Sequence, residues 1–365
     1  MSFDLSNCFD DVPQDSDDDY YMNSGYTGGQ YNGGQQIDES VVIHSGAVRN
    51  TALELIPPII SECALTLGGS AVCLSNKSVA ELADKLHITA SSPEDIMHEA
   101  KIKMNCKTQL CVAQKAAKAG SRLIAAEIIT RFPIEGPTDA SLLSNIHIDN
   151  TLAQWATVFD GFYPYNFNMK NYADQSFKHG RVHDIPDTLA TIQFADLVSG
   201  AHNGHKYTKA ACVINSDVYT GPGKHWMALF ADVSAATSTT NPIYTVEFFN
   251  SSGNAPAPEW INWMEKTKIG IESLINQGVL PPGEVKIIRV TTLRHQKSKS
   301  ECGLYSLFYI WGRLHNVPPS AFSHGDIPDK AMFEFRQHLF VDPRRPQLKQ
   351  FDWEDYQKHT HIRWE

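Results

Sequence analysis

From residue 205 onward the chain breaks into short β-rich runs separated by helices, and this alternation restricts the fold more than any other feature. Residues 210–214, 226–231, 243–249 and 285–290 are short apolar runs with β-branched and aromatic residues, bounded by turn-forming residues. A helix over 259–275, opened by Pro258, falls between the third and fourth runs, and another follows over 302–315. Strands interrupted by helices predict an α+β domain with a mixed central sheet flanked by helices.

Residues 41–135 read as helical instead. Ser78-Val79-Ala80-Glu81 has capping-box spacing ahead of Leu82 and Leu86. Ser92-Pro93-Glu94-Asp95 is a second start, with Pro at the first helical position and acids in the first turn. Residues 112–129, rich in Ala, Leu, Ile, Lys and Arg, predict one longer helix. Phe132-Pro133 and Gly136-Pro137 break the pattern, which places a helical N-terminal arm over 41–135 and a second domain over 136–365. Residues 1–40 hold nine acidic residues and no Lys or Arg, with few aliphatics, and predict a disordered acidic tail. Within it Tyr26-Thr27-Gly28-Gly29-Gln30 is followed by the similar Tyr31-Asn32-Gly33-Gly34-Gln35. Gly68-Gly69, after an apolar stretch, reads as an internal turn.

Nine units of the net charge of -10 belong to that tail, so the rest of the chain carries only -1. A near-neutral body has no electrostatic footprint for nucleic acid, and none is expected as a partner. No apolar run approaches the roughly 18 residues of a membrane helix, and no signal-peptide pattern opens the sequence. Seven cysteines, an odd number in a chain large enough to need no staples, predict free thiols in a reducing, cytosol-like compartment. Cys106 and Cys111, with His98 nearby, lack a second ligand pair for zinc and read as structural thiols. His202 and His205 read as loop residues rather than metal ligands, and no metal or cofactor is expected. Trp155, Phe159, Phe162, Tyr163, Tyr165 and Phe167 read as core or groove lining.

Four residues at predicted element ends have complementary chemistry. Cys302, in Glu301-Cys302-Gly303-Leu304, opens an apolar helix whose free N–H groups and dipole favour a thiolate. Gly303 lets a carbonyl approach the backbone closely. His225 precedes the run that starts at Trp226, and Asn250 ends the run over 243–249, so paired strands would bring base and orienter to one sheet edge. Gln296 lies six residues before Cys302 in a polar loop, where its amide can help the Cys302 N–H bind an oxyanion.

These positions resemble the ubiquitin-like-protein protease superfamily of cysteine proteases, which includes SUMO proteases, adenovirus protease (adenain) and core proteases of large DNA viruses. The matching residues are His225-Trp226, Asn250-Ser251 at a strand end, and Gln296 followed by five residues and Cys302-Gly303. Leu143-Ser144-Asn145-Ile146-His147-Ile148 also resembles the segment that helps form that family's substrate groove. The resemblance covers roughly residues 136–325 and is greatest to the African swine fever virus type. It implies Cys302 as nucleophile, His225 as base, Asn250 as orienter and Gln296 as oxyanion donor. Leu143, Asn145, Trp226 and Gly303 would bind substrate. Cellular SUMO proteases have Asp where this chain has Asn250, but a thiolate–imidazolium pair needs its ring oriented more than it needs a third charge. That substitution, and the longer insert over 234–241, lean towards a viral enzyme. Such an enzyme would cleave polypeptides after Gly-Gly and mature structural polyproteins in the host cytoplasm and virion. The alternatives are an isopeptidase acting on SUMO or ubiquitin conjugates and an inactive module that binds Gly-Gly tails. Gly29 and Gly34 are the matching self-cleavage positions in the tail.

Overall fold

The computed structural model describes residues 51–173, 188–237 and 240–342; the acidic tail expected over 1–40 lies outside them. Four helices come first: α1 (Asn76–Leu86), α2 (Pro93–Lys103), α3 (Gln109–Lys118) and α4 (Arg122–Arg131). Each is opened by a hydroxyl. Ser75, Ser92, Thr108 and Ser121 accept the N–H of Ser78, Asp95, Cys111 and Ile124, and so satisfy one orphan donor per helix.

Three expectations are corrected here. The first helix is capped by Ser75, and Ser78 is buried inside it. Ser75 has both the helix donor and the Glu127 carboxylate as partners, so it outcompetes the capping box one turn later. The helix expected over 112–129 is two helices, broken at Gly120 with φ +98° and restarted by the Ser121 cap. Cys63 and Cys73 are disulfide-bonded, as are Cys106 and Cys111, whereas free thiols were expected. Their Cα atoms lie 4.9 and 5.6 Å apart, within bridging range. Chain size and compartment say nothing about which cysteines a helical turn brings together. Cys212 and Cys302 are free. Around the bridges Val79, Leu82, Met97, Val112, Ile124 and Phe132 form a core of their own.

The remaining elements are β1 (Ile134–Glu135), α5 (Asn145–Ala156), β2 (Phe162–Pro164), β3 (Asn168–Met169), α6 (Phe194–Ser199), β4 (Lys209–Asn215) and β5 (Trp226–Asp232). They continue with β6 (Ile243–Phe249), α7 (Pro258–Asn276), β7 (Glu284–Val290), α8 (Cys302–Leu314), α9 (Asp329–Leu339) and β8 (Phe340–Val341). The main sheet has the order β2-β4-β5-β6-β7, with β3 also pairing β4. β4, β5 and β6 are antiparallel, and β2, β3 and β7 join them in parallel. The expected mixed sheet flanked by helices is therefore what forms. The β6–β7 pair is parallel because α7 carries the chain back across the sheet.

Both sheet faces are covered, and the strands distribute their side chains with period two. Ala211, Val213, Ala228, Phe230 and Phe249 pack with α5, α8 and α9. Cys212, Ile214, Leu229, Ala231, Val246 and Phe248 pack with α6 and α7. Every residue of α8 is buried, as its all-round apolar sequence requires. A polar cluster crosses this core. Glu247 of β6, fully buried, accepts from Arg313 Nε at 2.8 Å and from Tyr309 OH at 2.6 Å, both on α8. It locks the strand that leads into Asn250 to the helix that begins at Cys302.

Candidate active site

In the β5–β6 pairing Ala228 faces Phe249, so the residue before β5 and the residue after β6 emerge at the same sheet edge. They are His225 and Asn250, with His225 Nε2 2.8 Å from Asn250 Oδ1. The Asn250 amide cannot be reversed. Its Nδ2 donates to Asn254 O at 3.0 Å, and its Oδ1 also accepts from Ser252 N–H and Oγ–H at 3.0 and 2.8 Å. An oxygen facing the ring makes Nε2 the protonated nitrogen and leaves the lone pair on Nδ1.

The loop that delivers His225 is held from within. Asn215 Oδ1 accepts the N–H of Asp217 and of Lys224, both at 3.0 Å. The Asp217 carboxylate accepts from Val218 and Gly223 at 2.9 and 3.2 Å. The Val218 N–H draws its pKa below the usual carboxylate value, and Lys224 and Gly223 add to this. Gly221 packs so closely on Asp217 that a Cβ would overlap the carboxylate. Ser216 N–H donates to His225 O at 2.9 Å, which closes the loop.

Cys302 is the first residue of α8 and is buried. The next residue, Gly303, packs on the Trp226 ring, which an added Cβ would approach to 3.4 Å, so the helix start sits against the strand end that follows His225. The N–H groups at the helix start lower the thiol pKa, as expected, but they do not set its net direction. Burial pushes it up and outweighs those N–H donors, and the Glu301 carboxylate adds to the rise. Burial also pushes the His225 pKa down, partly offset by the bond to Asn250. Both shifts favour the uncharged forms.

Gln296 is buried rather than solvated. Ser251 Oγ donates to Gln296 Oε1 at 2.9 Å, and Gln296 N–H donates to Ser251 O at 3.0 Å. Gln296 Nε2 donates to Ser298 O at 3.0 Å, which uses one of its two protons. Consecutive residues at the end of β6 thus hold the histidine and the glutamine. Sequence reasoning missed the part played by Ser251, although it stands beside Asn250. It also missed Asn215 and Asp217, whose signal is a polar pair at a strand end ahead of Gly221-Pro222-Gly223.

Of the expected groove residues, Leu143, Trp226 and Gly303 meet. Trp226 Nε1 donates to Leu143 O at 3.2 Å. A Cβ on Gly303 would lie 3.2 Å from Leu143 and 3.4 Å from the Trp226 ring. Phe167 packs its ring edge-on to Trp226, with centroids 6.1 Å apart. Asn145 is the first residue of α5, two past Leu143, where Ser144 and His147 form a capping box. Gly29 and Gly34 lie outside the described residues. The assembled groups are a thiol, a base with an available lone pair, an orienting amide, and N–H donors at a helix start and on a side-chain amide. These are the components of acyl transfer through a thioester.

Residues 211–349 match the family described as Ulp1 protease family, C-terminal catalytic domain. The chain is 34% identical over 296 residues to the "Cysteine protease S273R" of African swine fever virus, covering 79% of this chain and 98% of that protein. The same identity and coverage hold for a second isolate's protein, named "SUMO-1 cysteine protease S273R". The crystal structure of the African swine fever virus pS273R protease superposes with a TM-score of 0.60 at 30% identity, over 80% of this chain and 99% of that one.

Proposed function

We propose that this chain, which belongs to the Ulp1 family of cysteine proteases alongside the African swine fever virus S273R protease, cleaves polypeptides after Gly-Gly through an acyl-enzyme on Cys302. Its substrates on this reading are the structural polyproteins of a large DNA virus, met in the host cytoplasm and the virion. The observation that carries the reading is the His225–Asn250 hydrogen bond at the sheet edge where the Cys302 thiol is buried. The packing of Leu143, Trp226 and Gly303 supports a narrow groove, and glycine is the residue a narrow groove admits.

The reaction follows from those groups. As the scissile carbonyl arrives, the Cys302 thiol proton passes to His225 Nδ1 and the sulfur forms a bond to the carbonyl carbon. The carbonyl oxygen becomes an oxyanion that accepts from the Cys302 N–H and from the Gln296 amide. The C–N bond then breaks, and the imidazolium gives its proton to the departing amine. Water, deprotonated by the neutral imidazole, attacks the thioester. The C–S bond then breaks, the imidazolium returns its proton to the sulfur, and the acid product leaves and ionises in water. Asn250 keeps the ring aimed through the cycle.

Digestion of viral polyproteins beside SUMO precursors tests the substrate. Cleavage of the polyproteins at Gly-Gly sites by wild type, and not by Cys302→Ala, is expected. The word SUMO-1 in a relative's name motivates the second arm. Faster cleavage of the SUMO precursor would replace polyprotein maturation by removal of a ubiquitin-like modifier.

A further inference from the structure

We propose that Asp329 is a positioning residue for Gln296: its buried carboxylate holds the loop that aims the glutamine amide at the reacting carbonyl. The inference rests on the reading of Gln296 as an oxyanion donor. Asp329 opens α9, 33 residues beyond Gln296 in sequence, and is 2% exposed. It accepts from Ser298 N–H at 2.8 Å, from Lys297 N–H at 3.2 Å and from Ser298 Oγ at 3.2 Å. Ser298 O is the acceptor to which Gln296 Nε2 donates. The carboxylate thus grips the backbone amides on either side of Lys297 and fixes the carbonyl that anchors the glutamine. Ser251 holds the other end of the same amide.

A second contact ties this loop to the nucleophile. Tyr305 OH lies 3.0 Å from Asp329 Oδ1 and 2.7 Å from Ile327 O, and Tyr305 is three residues past Cys302 on α8. One carboxylate therefore links the glutamine loop, the start of α9 and the first turn of the thiol's helix. Burial pushes the Asp329 pKa up, so the site bears the cost of a desolvated carboxyl group. The Tyr305 hydroxyl, two backbone donors and the Ser298 hydroxyl offset it, and all but the first lie on the glutamine loop. An oxyanion donor acts only if it is already in place when charge develops.

Steady-state kinetics on Asp329→Asn, in wild-type and Gln296→Ala backgrounds, test this. Asparagine keeps the size but presents an NH2 group to donors that need an acceptor. We expect kcat to fall roughly 10- to 100-fold, as for a displaced catalytic group, with KM unchanged. The rate of Cys302 alkylation by iodoacetamide should change far less than kcat, because Asp329 reaches the thiol's helix only through Tyr305 and touches neither thiol nor base. In the Gln296→Ala background Asp329→Asn should have no further effect, since two parts of one unit are not additive. An unchanged kcat for Asp329→Asn while Gln296→Ala is impaired would overturn the clamp and leave the donor standing. So would an equal loss in both backgrounds. An unimpaired Gln296→Ala would remove donor and clamp together. Should Asp329→Asn fail to fold by circular dichroism, Ser298→Ala serves as the same test with a smaller loss, again absent in the Gln296→Ala background.

Discussion

Asn250 Oδ1 accepts from His225 Nε2 at 2.8 Å and from Ser252 N–H at 3.0 Å, so a single oxygen ties the histidine ring to the loop after β6. With Nδ2 fixed on Asn254 O, that oxygen has one orientation. His225→Ala removes proton transfer and should cost roughly 10²–10⁴-fold in kcat. Asn250→Ala leaves the base but frees its ring, so its loss should be smaller. Asn250→Asp should be milder still at neutral pH. It gives up the bond to Asn254 O but supplies a charge that favours imidazolium. Rate profiles for the three variants check this order, and an Asn250→Ala enzyme as slow as His225→Ala would contradict it.

The pH profile follows from the two burial shifts. His225 must be neutral to take the proton, and burial lowers its pKa, so the acid limb of kcat/KM should lie below the ordinary histidine value near 6.5. The Asn250 bond opposes that shift, so Asn250→Ala should move the limb lower and Asn250→Asp higher. The raised Cys302 pKa means that alkylation of the free enzyme should climb with pH through the alkaline range. A rate plateau below pH 6 would mean that a thiolate–imidazolium pair exists at rest.

Glu247 supports the site from inside the core. It is fully buried and receives the Arg313 guanidinium through both oxygens, at 2.8 and 2.9 Å. Glu247→Ala leaves Arg313 charged and buried, and should destabilise the fold by about 3–5 kcal/mol, read as a lower denaturation midpoint. Joint replacement of Glu247 and Arg313 by apolar residues should recover much of that loss. A loss under about 1 kcal/mol for Glu247→Ala would show that water reaches the pair.

Much of this site was legible from the residues alone. The strands expected over 226–231 and 243–249 form as β5 and β6 with ends shifted by at most one residue. Their ends place His225 and Asn250 because antiparallel pairing leaves no other choice. The spacing from Gln296 to Cys302 located the loop but not its burial, which depends on Ser251 and on Asp329 from another element. β2 and β3, short strands paired to β4 in parallel, carry no period and hid inside an aromatic stretch. The upward push on the thiol pKa was hidden because a helix start is local in sequence, whereas burial is set by the whole fold. The disulfides depend on the path of the backbone between helices, which no spacing rule reports.

The tail gives a prediction from sequence. Gly28-Gly29 and Gly33-Gly34 lie in the acidic, glycine-rich stretch over 1–40, and a protease groove admits a backbone that can extend at little cost. We expect self-processing after Gly29 or Gly34. Gly68-Gly69 should be spared: both have positive φ, and Gly68 N–H is bonded to Leu65 O, so the backbone is turned rather than extended. Intact masses of wild type and Cys302→Ala at high concentration decide it. Full-length mass persisting in both, while a Gly-Gly peptide is cleaved, would remove self-processing alone.

The most direct test of the account is covalent capture of the nucleophile. The enzyme is incubated with a peptide that ends in a Gly-Gly vinyl ester, then analysed by intact mass and peptide mapping. A single adduct on Cys302 is predicted, absent in Cys302→Ala and strongly slowed in His225→Ala. An adduct on Cys212, or labelling of Cys302→Ala at the wild-type rate, would contradict it.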